Sequence, residues 1–199
     1  MNEFITALEI ASKFLPDRSI PGFNCVLIER TETACDLYAT EGTMIVRIRL
    51  APEVFPVGGP GPLFIGEGDV PAIIEKFRHV ADVSVAEWGG SLMITGGTEV
   101  FEPRPVPGDL GDKYREFFQE SPRLADVAFS YPRIRLAVDA CAPILVEWKG
   151  CGQIFYIRPQ EVHWDNEGRH MALLKMSLLP SLTLIKDVTV VLMGALPDA

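Results

Sequence analysis

A short phrase occurs twice in this chain. Val85-Ala86-Glu87-Trp88-Gly89-Gly90 returns sixty residues later as Leu145-Val146-Glu147-Trp148-Lys149-Gly150. Each copy follows a segment with helical periodicity and precedes a second apolar run. Recurrence at a fixed distance marks a supersecondary unit used more than once. Such a chain folds as modules of helix and strands, and Trp88 and Trp148, fixed in the phrase, are expected to be packing residues at equivalent strand positions.

The rest of the chain supplies the modules. Phe4, Ala7, Leu8, Ala11 and Leu15 recur at helical spacing, and Pro16 ends that helix. Asn24–Glu29 and Cys35–Thr40, joined by polar Arg30-Thr31-Glu32-Thr33, predict a hairpin. In Met44–Leu50, strict alternation puts Met44, Val46, Ile48 and Leu50 on a core face and Ile45, Arg47 and Arg49 on the other. The Pro/Gly-rich stretch from Pro52 to Pro62 precedes a strand at Leu63-Phe64-Ile65. Asp69 then caps a helix with Pro71 in its first turn, which carries Ile73, Ile74 and Phe77 inward and Glu75, Lys76, Arg78 and His79 outward. Strands at Val83–Trp88 and Ser91–Thr95 follow, and Thr98–Val106 is expected to continue the sheet.

Pro103, Pro105, Pro107 and Gly108 mark a boundary. The expected organisation is a first domain over 1–108, a linker over 109–126 with a short helix at Lys113–Phe118, and a second, shortened unit over 127–199. That unit starts with a strand at Val127–Phe129. Ser130 then caps a helix with Pro132 in its first turn and Ile134, Ala137, Val138 and Cys141 on its apolar side, although Tyr131, Arg133 and Arg135 also fit strand alternation. Strands at Ile144–Trp148, Gln153–Arg158, His170–Leu179 and Thr183–Met193 complete it.

Composition narrows the function. A chain that is 48% hydrophobic and 23% charged can bury a core. No apolar run reaches the roughly 18 residues of a membrane span, and the N-terminus lacks a basic region ahead of an apolar one, so a cytoplasmic location without membrane contact is expected. Cys25, Cys35, Cys141 and Cys151 form no CxxC pair and are expected to be reduced core residues; the alternative is a metal site with His79, His163 or His170. A net charge of −9 argues against a uniformly basic coat while leaving room for a local basic face.

Catalytic motifs are missing. There is no phosphate loop, GxGxxG, nucleophile elbow or HExxH, and Gly58-Gly59-Pro60-Gly61 lacks the Lys-Ser/Thr ending of a phosphate loop. His163 beside Asp165 and Glu167 sits in a polar Trp164–Gly168 turn that suits a solvated loop better than acid–base chemistry. The expectation is a protein that is not an enzyme, with no cofactor and no metal.

Residues 2–109 resemble the bacterial β sliding clamps and their phage relatives. The resemblance rests on the opening helix, on the strands Phe23–Glu29 and Leu37–Thr40, and on the closing stretch Met93–Phe101 followed by Pro103, Pro105 and Pro107. Glu41 stands where that family usually has Asp. The resemblance implies an α+β fold of repeated units, each with one helix packed on a curved, mostly antiparallel sheet. It also implies a role in replication or transcription of a bacterial or phage genome, with DNA and a DNA or RNA polymerase as partners. Family chains have two or three full domains that close a ring around duplex DNA, whereas residues 110–199 leave room for little more than half a domain. Without a ring, binding would be by direct contact, favouring single strands that can track a surface and stack their bases.

In the family, basic side chains on the helices face DNA. That carries over to Lys13 and Arg18, to Lys76 and Arg78, and to Arg133 and Arg135. Tyr131 and Tyr156, with Phe155 and Trp148, offer stacking platforms, although aromatic residues on strands are usually core. Ordinary solvated helix faces would carry the same cations. A ring-forming clamp, a possible homo-oligomer and a protein-interaction adaptor with an acidic surface are the competing expectations.

Overall fold

Helix α1 (Glu3–Ser12) holds the molecule's three parts together. Seven of its ten residues are buried, among them Phe4, Leu8 and Ile10, each contributing roughly 1.5–3 kcal/mol by leaving water. Asn2 caps it, its Oδ1 accepting from the backbone N–H of Phe4 at 3.0 Å and Ile5 at 3.2 Å. The same amide donates to the carbonyl of Ala81 at 3.0 Å. One residue further on, the Glu3 carboxylate accepts from the backbone N–H groups of Thr183, Leu184 and Ile185 and from the Thr183 hydroxyl. These bonds hold the Glu3 carboxyl below its ordinary range, outweighing the upward push of burial.

The computed structural model describes residues 2–16, 23–31, 33–55, 62–88, 91–106, 115, 117–118, 131–146, 155–164 and 167–193, with backbone alone at 158–164 and 167–170. Strands β1 (Cys25–Arg30), β2 (Cys35–Thr40) and β3 (Met44–Leu50) form an antiparallel meander under α1, and β4 (Pro62–Gly66) joins the far edge of β1. The alternation in β3 holds: Met44, Val46, Ile48 and Leu50 are buried in the main core. Helix α2 (Val70–Phe77) buries Ile73, Ile74 and Phe77 and leaves Glu75, Lys76, Arg78 and His79 exposed.

Strands β5 (Val83–Trp88), β6 (Ser91–Gly96) and β7 (Glu99–Phe101) form a separate three-stranded sheet. A side chain on Gly96 would meet the Val80 Cγ1 at 2.7 Å, so glycine there lets the end of α2 press onto the sheet. Gly97 turns the chain into β7 with φ +59, a conformation glycine adopts without strain.

Helix α3 spans Tyr131–Cys141, with Ala137 and Cys141 buried and Ile134 and Val138 packed against the core. Helical periodicity therefore prevails over strand alternation in this segment. Strands β8 (Phe155–Trp164), β9 (Glu167–Met176) and β10 (Ile185–Met193) follow. β10 pairs with β3, so the large sheet runs β4-β1-β2-β3-β10-β9-β8 across the expected boundary at 108. The whole is α+β with antiparallel pairing throughout both sheets.

The second face of the large sheet carries an apolar cluster of its own beside paired charges. Leu27, Tyr38, Ile45, Met171, Leu173 and Val191 form a cluster roofed by Phe117 and Phe118 of the linker, whose described residues Arg115, Phe117 and Phe118 adopt 3-10 geometry. Phe118 stands edge-on to Tyr38 at 5.7 Å, Arg47 lies 4.9 Å over its ring, and Arg115 pairs with Glu29. Arg49 grips Asp36 in a bidentate pair at 2.8 and 2.9 Å, and Arg47 reaches Asp187 of β10 at 2.9 Å. The two arginines of β3 thus serve inter-strand pairing rather than a free solvent face.

Several expectations need correction. Trp88 is 77% exposed; it lies on the outward-pointing side of β5, whereas the packing residue of the phrase is Val85, fully buried. Asp69 makes no side-chain cap to α2, because its carboxylate is taken by the Arg104 backbone N–H at 2.9 Å and guanidinium at 3.1 Å. The strand expected over 98–106 ends at Phe101, two residues before Pro103, which has no N–H to extend a ladder. In place of a strand from 144, Ala142–Ile144 is a 3-10 turn that opens on Pro143, and pairing begins at Leu145, opposite Leu178. Arg18, Trp148, Cys151, Ser130 and the strand at 127–129 lie outside the described residues, as do the side chains of His163 and His170.

Candidate nucleic-acid interface

Helical periodicity places the expected cations, and tertiary packing decides their partners. Lys13 follows the C-terminus of α1 and is exposed. Lys76 and Arg78 leave the outward side of α2, and Arg133 and Arg135 lie on the first turns of α3, where Tyr131 is 71% exposed. Tyr156 is 67% exposed on β8, the edge strand of the large sheet.

A groove of about 540 Å³ runs between the three helices, and of the expected cations it contains Lys13 and Arg78. Its other charged lining residues are Glu9, Glu75 and Asp139. Arg78 pairs with Glu9 of α1 at 3.3 Å, Arg135 with Asp139 one turn along α3 at 3.3 Å, and Lys76 with Glu99 of β7 at 2.8 Å. Lys76 is thereby drawn towards the small sheet, away from the groove. Lys13 and Arg133 have no carboxylate partner among the described residues.

The carboxylate partners are what sequence reasoning missed. Asp139 was detectable, since Arg135 and Asp139 are spaced i,i+4 on one helix. Glu9 and Glu99 come from other elements, so nothing local announces them. Exposed pairs of this kind contribute at most about 1 kcal/mol and are exchangeable for another anion.

The remaining titratable core groups are inert. Burial pushes the thiols of Cys25, Cys35 and Cys141 up to about 11, about 12 and about 12, which keeps them protonated. All three are buried, as expected of core cysteines. Among the described residues no group of three His, Cys, Asp or Glu side chains could hold a metal, and no helix is long and apolar enough to cross a membrane.

No protein-family model and no curated protein sequence matches this chain. Solved structures do. The DNA polymerase III subunit beta of Pseudomonas aeruginosa aligns over 98% of this chain and 63% of its own, with TM-score 0.54 and 12% identity. The beta subunit of Thermotoga maritima aligns over 98% of this chain and 64% of its own, with TM-score 0.51 and 15% identity. The fold is that of a sliding clamp.

The chain spans less than two thirds of the length of the two subunits it matches. At 12–15% identity the likeness is one of fold.

Proposed function

We propose that this protein is a non-catalytic, DNA-binding accessory of replication or transcription that contacts DNA directly and prefers single strands. A clamp fold extending over 98% of the chain is the observation that carries this reading. A DNA or RNA polymerase is the natural protein partner for such an accessory, in a bacterial or phage-infected cytoplasm.

The contact surface we favour centres on α3. Tyr131, Arg133 and Arg135 lie within its first five residues, combining an exposed ring for stacking with two cations for phosphate. The Arg135–Asp139 pair is solvent-exposed, so a phosphate can displace the carboxylate at small cost. Lys13 and Arg78 extend the surface through the groove, and Lys76 and Tyr156 lie further out. The three groove carboxylates weaken attraction for a duplex laid along all three helices. A flexible strand that follows α3 meets one of the three, Asp139, on that helix and can displace it from Arg135.

A polarisation titration with single- and double-stranded oligonucleotides across a salt series tests this. The expected result is tighter binding of the single strand, and the double variant Arg133→Glu/Arg135→Glu should weaken it more than about tenfold and flatten its salt dependence. Unchanged affinity in that folded variant removes α3 as the contact surface. No binding by the unaltered protein at low salt favours an interaction adaptor instead.

A ring-forming clamp is the second reading. The β3–β10 joint favours it, because remote parts of this chain already associate by strand-edge pairing. Light scattering for an oligomer, with retention on circular but not linear DNA, would establish it.

A further inference from the structure

The two sheets treat their outward faces differently. On the large sheet that face joins paired charges to an apolar cluster roofed by Phe117 and Phe118, with Arg115 paired to Glu29 beside them. On the small sheet, alternation sends Val85, Leu92, Ile94 and Gly96 inward, all buried. The opposite side consists of Ser84, Ala86 and Trp88 from β5, Ser91, Met93 and Thr95 from β6, and Val100 from β7. None of the seven is charged, although the chain carries −9 overall. Trp88 is 77% exposed and Val100 56%. An open aromatic at one end of an uncharged, partly apolar face is the composition of a binding patch, since aromatic anchors dominate interface energetics.

We infer that the outward face of the small sheet, anchored by Trp88, docks a short apolar segment of a partner protein that carries an aromatic side chain and flanking basic residues. The face by itself is smaller than a standard interface with a second copy would need. Three strands about 4.8 Å apart and six residues of about 3.3 Å each cover roughly 300 Å², against about 800 Å² per partner in a standard interface. A short segment fits that area. Charge sets the flanks: Asp82 and Glu102, at the start of β5 and just beyond β7, are exposed acids bordering the face. The roof of the large sheet shows the same chemistry in use, with a Phe-Phe pair on an apolar cluster of the sheet and a neighbouring arginine on an acid.

This surface is independent of the DNA contact, so each can fail alone. The test uses the whole protein and three fluorescein-labelled peptides, Gly-Lys-Phe-Phe-Lys-Gly, the same core flanked by Glu, and Gly-Lys-Ser-Ser-Lys-Gly, read by polarisation. Saturable binding of the first is expected, weaker by about tenfold or more with Glu flanks, with Ser-Ser, or in Trp88→Ser, while Trp88→Ser leaves oligonucleotide binding unchanged. Trp88 is exposed, so this variant folds, and a thermal unfolding curve verifies it. Binding that Trp88→Ser leaves intact, or no saturable binding to the unaltered protein, overturns the proposal. A dimer by light scattering that Trp88→Ser dissociates also overturns it, by making a second copy the occupant.

Discussion

Two sheets of one chain meet solvent in opposite ways. The large sheet has apolar clusters on both faces, with α1 lying over one and the Phe117–Phe118 roof over the other, and the second face also carries the pairs Asp36–Arg49 and Arg47–Asp187. The small sheet packs one face on the core and leaves the other uncharged and open around Trp88. A covered face contributes to stability, whereas an exposed apolar face contributes little and is retained for recognition. Ring size does not discriminate: Phe118 is 8% exposed and Trp88 77%, so equal aromatic bulk is put to opposite uses.

The contrast is easiest to break at the roof. Phe118→Ala should destabilise the protein by about 3 kcal/mol, and Trp88→Ser by no more than about 0.5 kcal/mol; urea unfolding of both variants measures the difference. Similar losses from the two would mean that the small sheet's face is covered after all. Asp187→Ala comes next. It strips a partly buried cation of its partner at the β3–β10 joint, and a loss of about 2 kcal/mol is expected from the same unfolding curves.

A smaller effect depends on pH. The Glu3 carboxyl is held below its ordinary 4.5 by hydrogen bonds from 183–185. A depressed acid contributes stability in full above its unfolded pKa, and loses it as pH falls through the folded value. Glu3→Gln should therefore cost about 1 kcal/mol at neutral pH, discounted for solvent screening, and progressively less below pH 4.5. Thermal unfolding from acid to neutral pH reads this; parallel curves for the two proteins would rule out Glu3 as the source. Smallest of all, Lys76→Ala breaks an exposed pair with Glu99 on β7 and should change stability by less than about 0.5 kcal/mol, with circular dichroism melting as the measurement.

What could be read in advance follows the range of each interaction. Alternation over Met44–Leu50 and the polar turn at 30–33 define β1, β2 and β3 nearly residue by residue, because strand periodicity and turn chemistry are local. The partnership of β3 with β10 has no local signature, and it alone explains why Arg47 belongs to a pair. Likewise the aromatic ring of the repeated phrase suggested packing, yet β5 alternation had already put Trp88 on the side opposite Val85. At the candidate site, period 3.6 identifies the outward side of α2. It does not reveal that Glu9 reaches Arg78 and Glu99 reaches Lys76, so cations were legible and the local potential was not.

Arg47 and Asp187 are 140 residues apart. On a ribosome adding about 5–20 residues per second, β3 exists for about seven to thirty seconds before its neighbour β10 is made. Throughout that interval a seven-residue edge with Ile45, Val46 and Ile48 has its backbone hydrogen-bonding groups open to any strand that passes. That edge is an aggregation hazard in the nascent chain, and pairing across so large a sequence separation is intrinsically slow. Residues 1–108 expressed alone would carry that open edge permanently, and aggregation through β3 would be their characteristic failure.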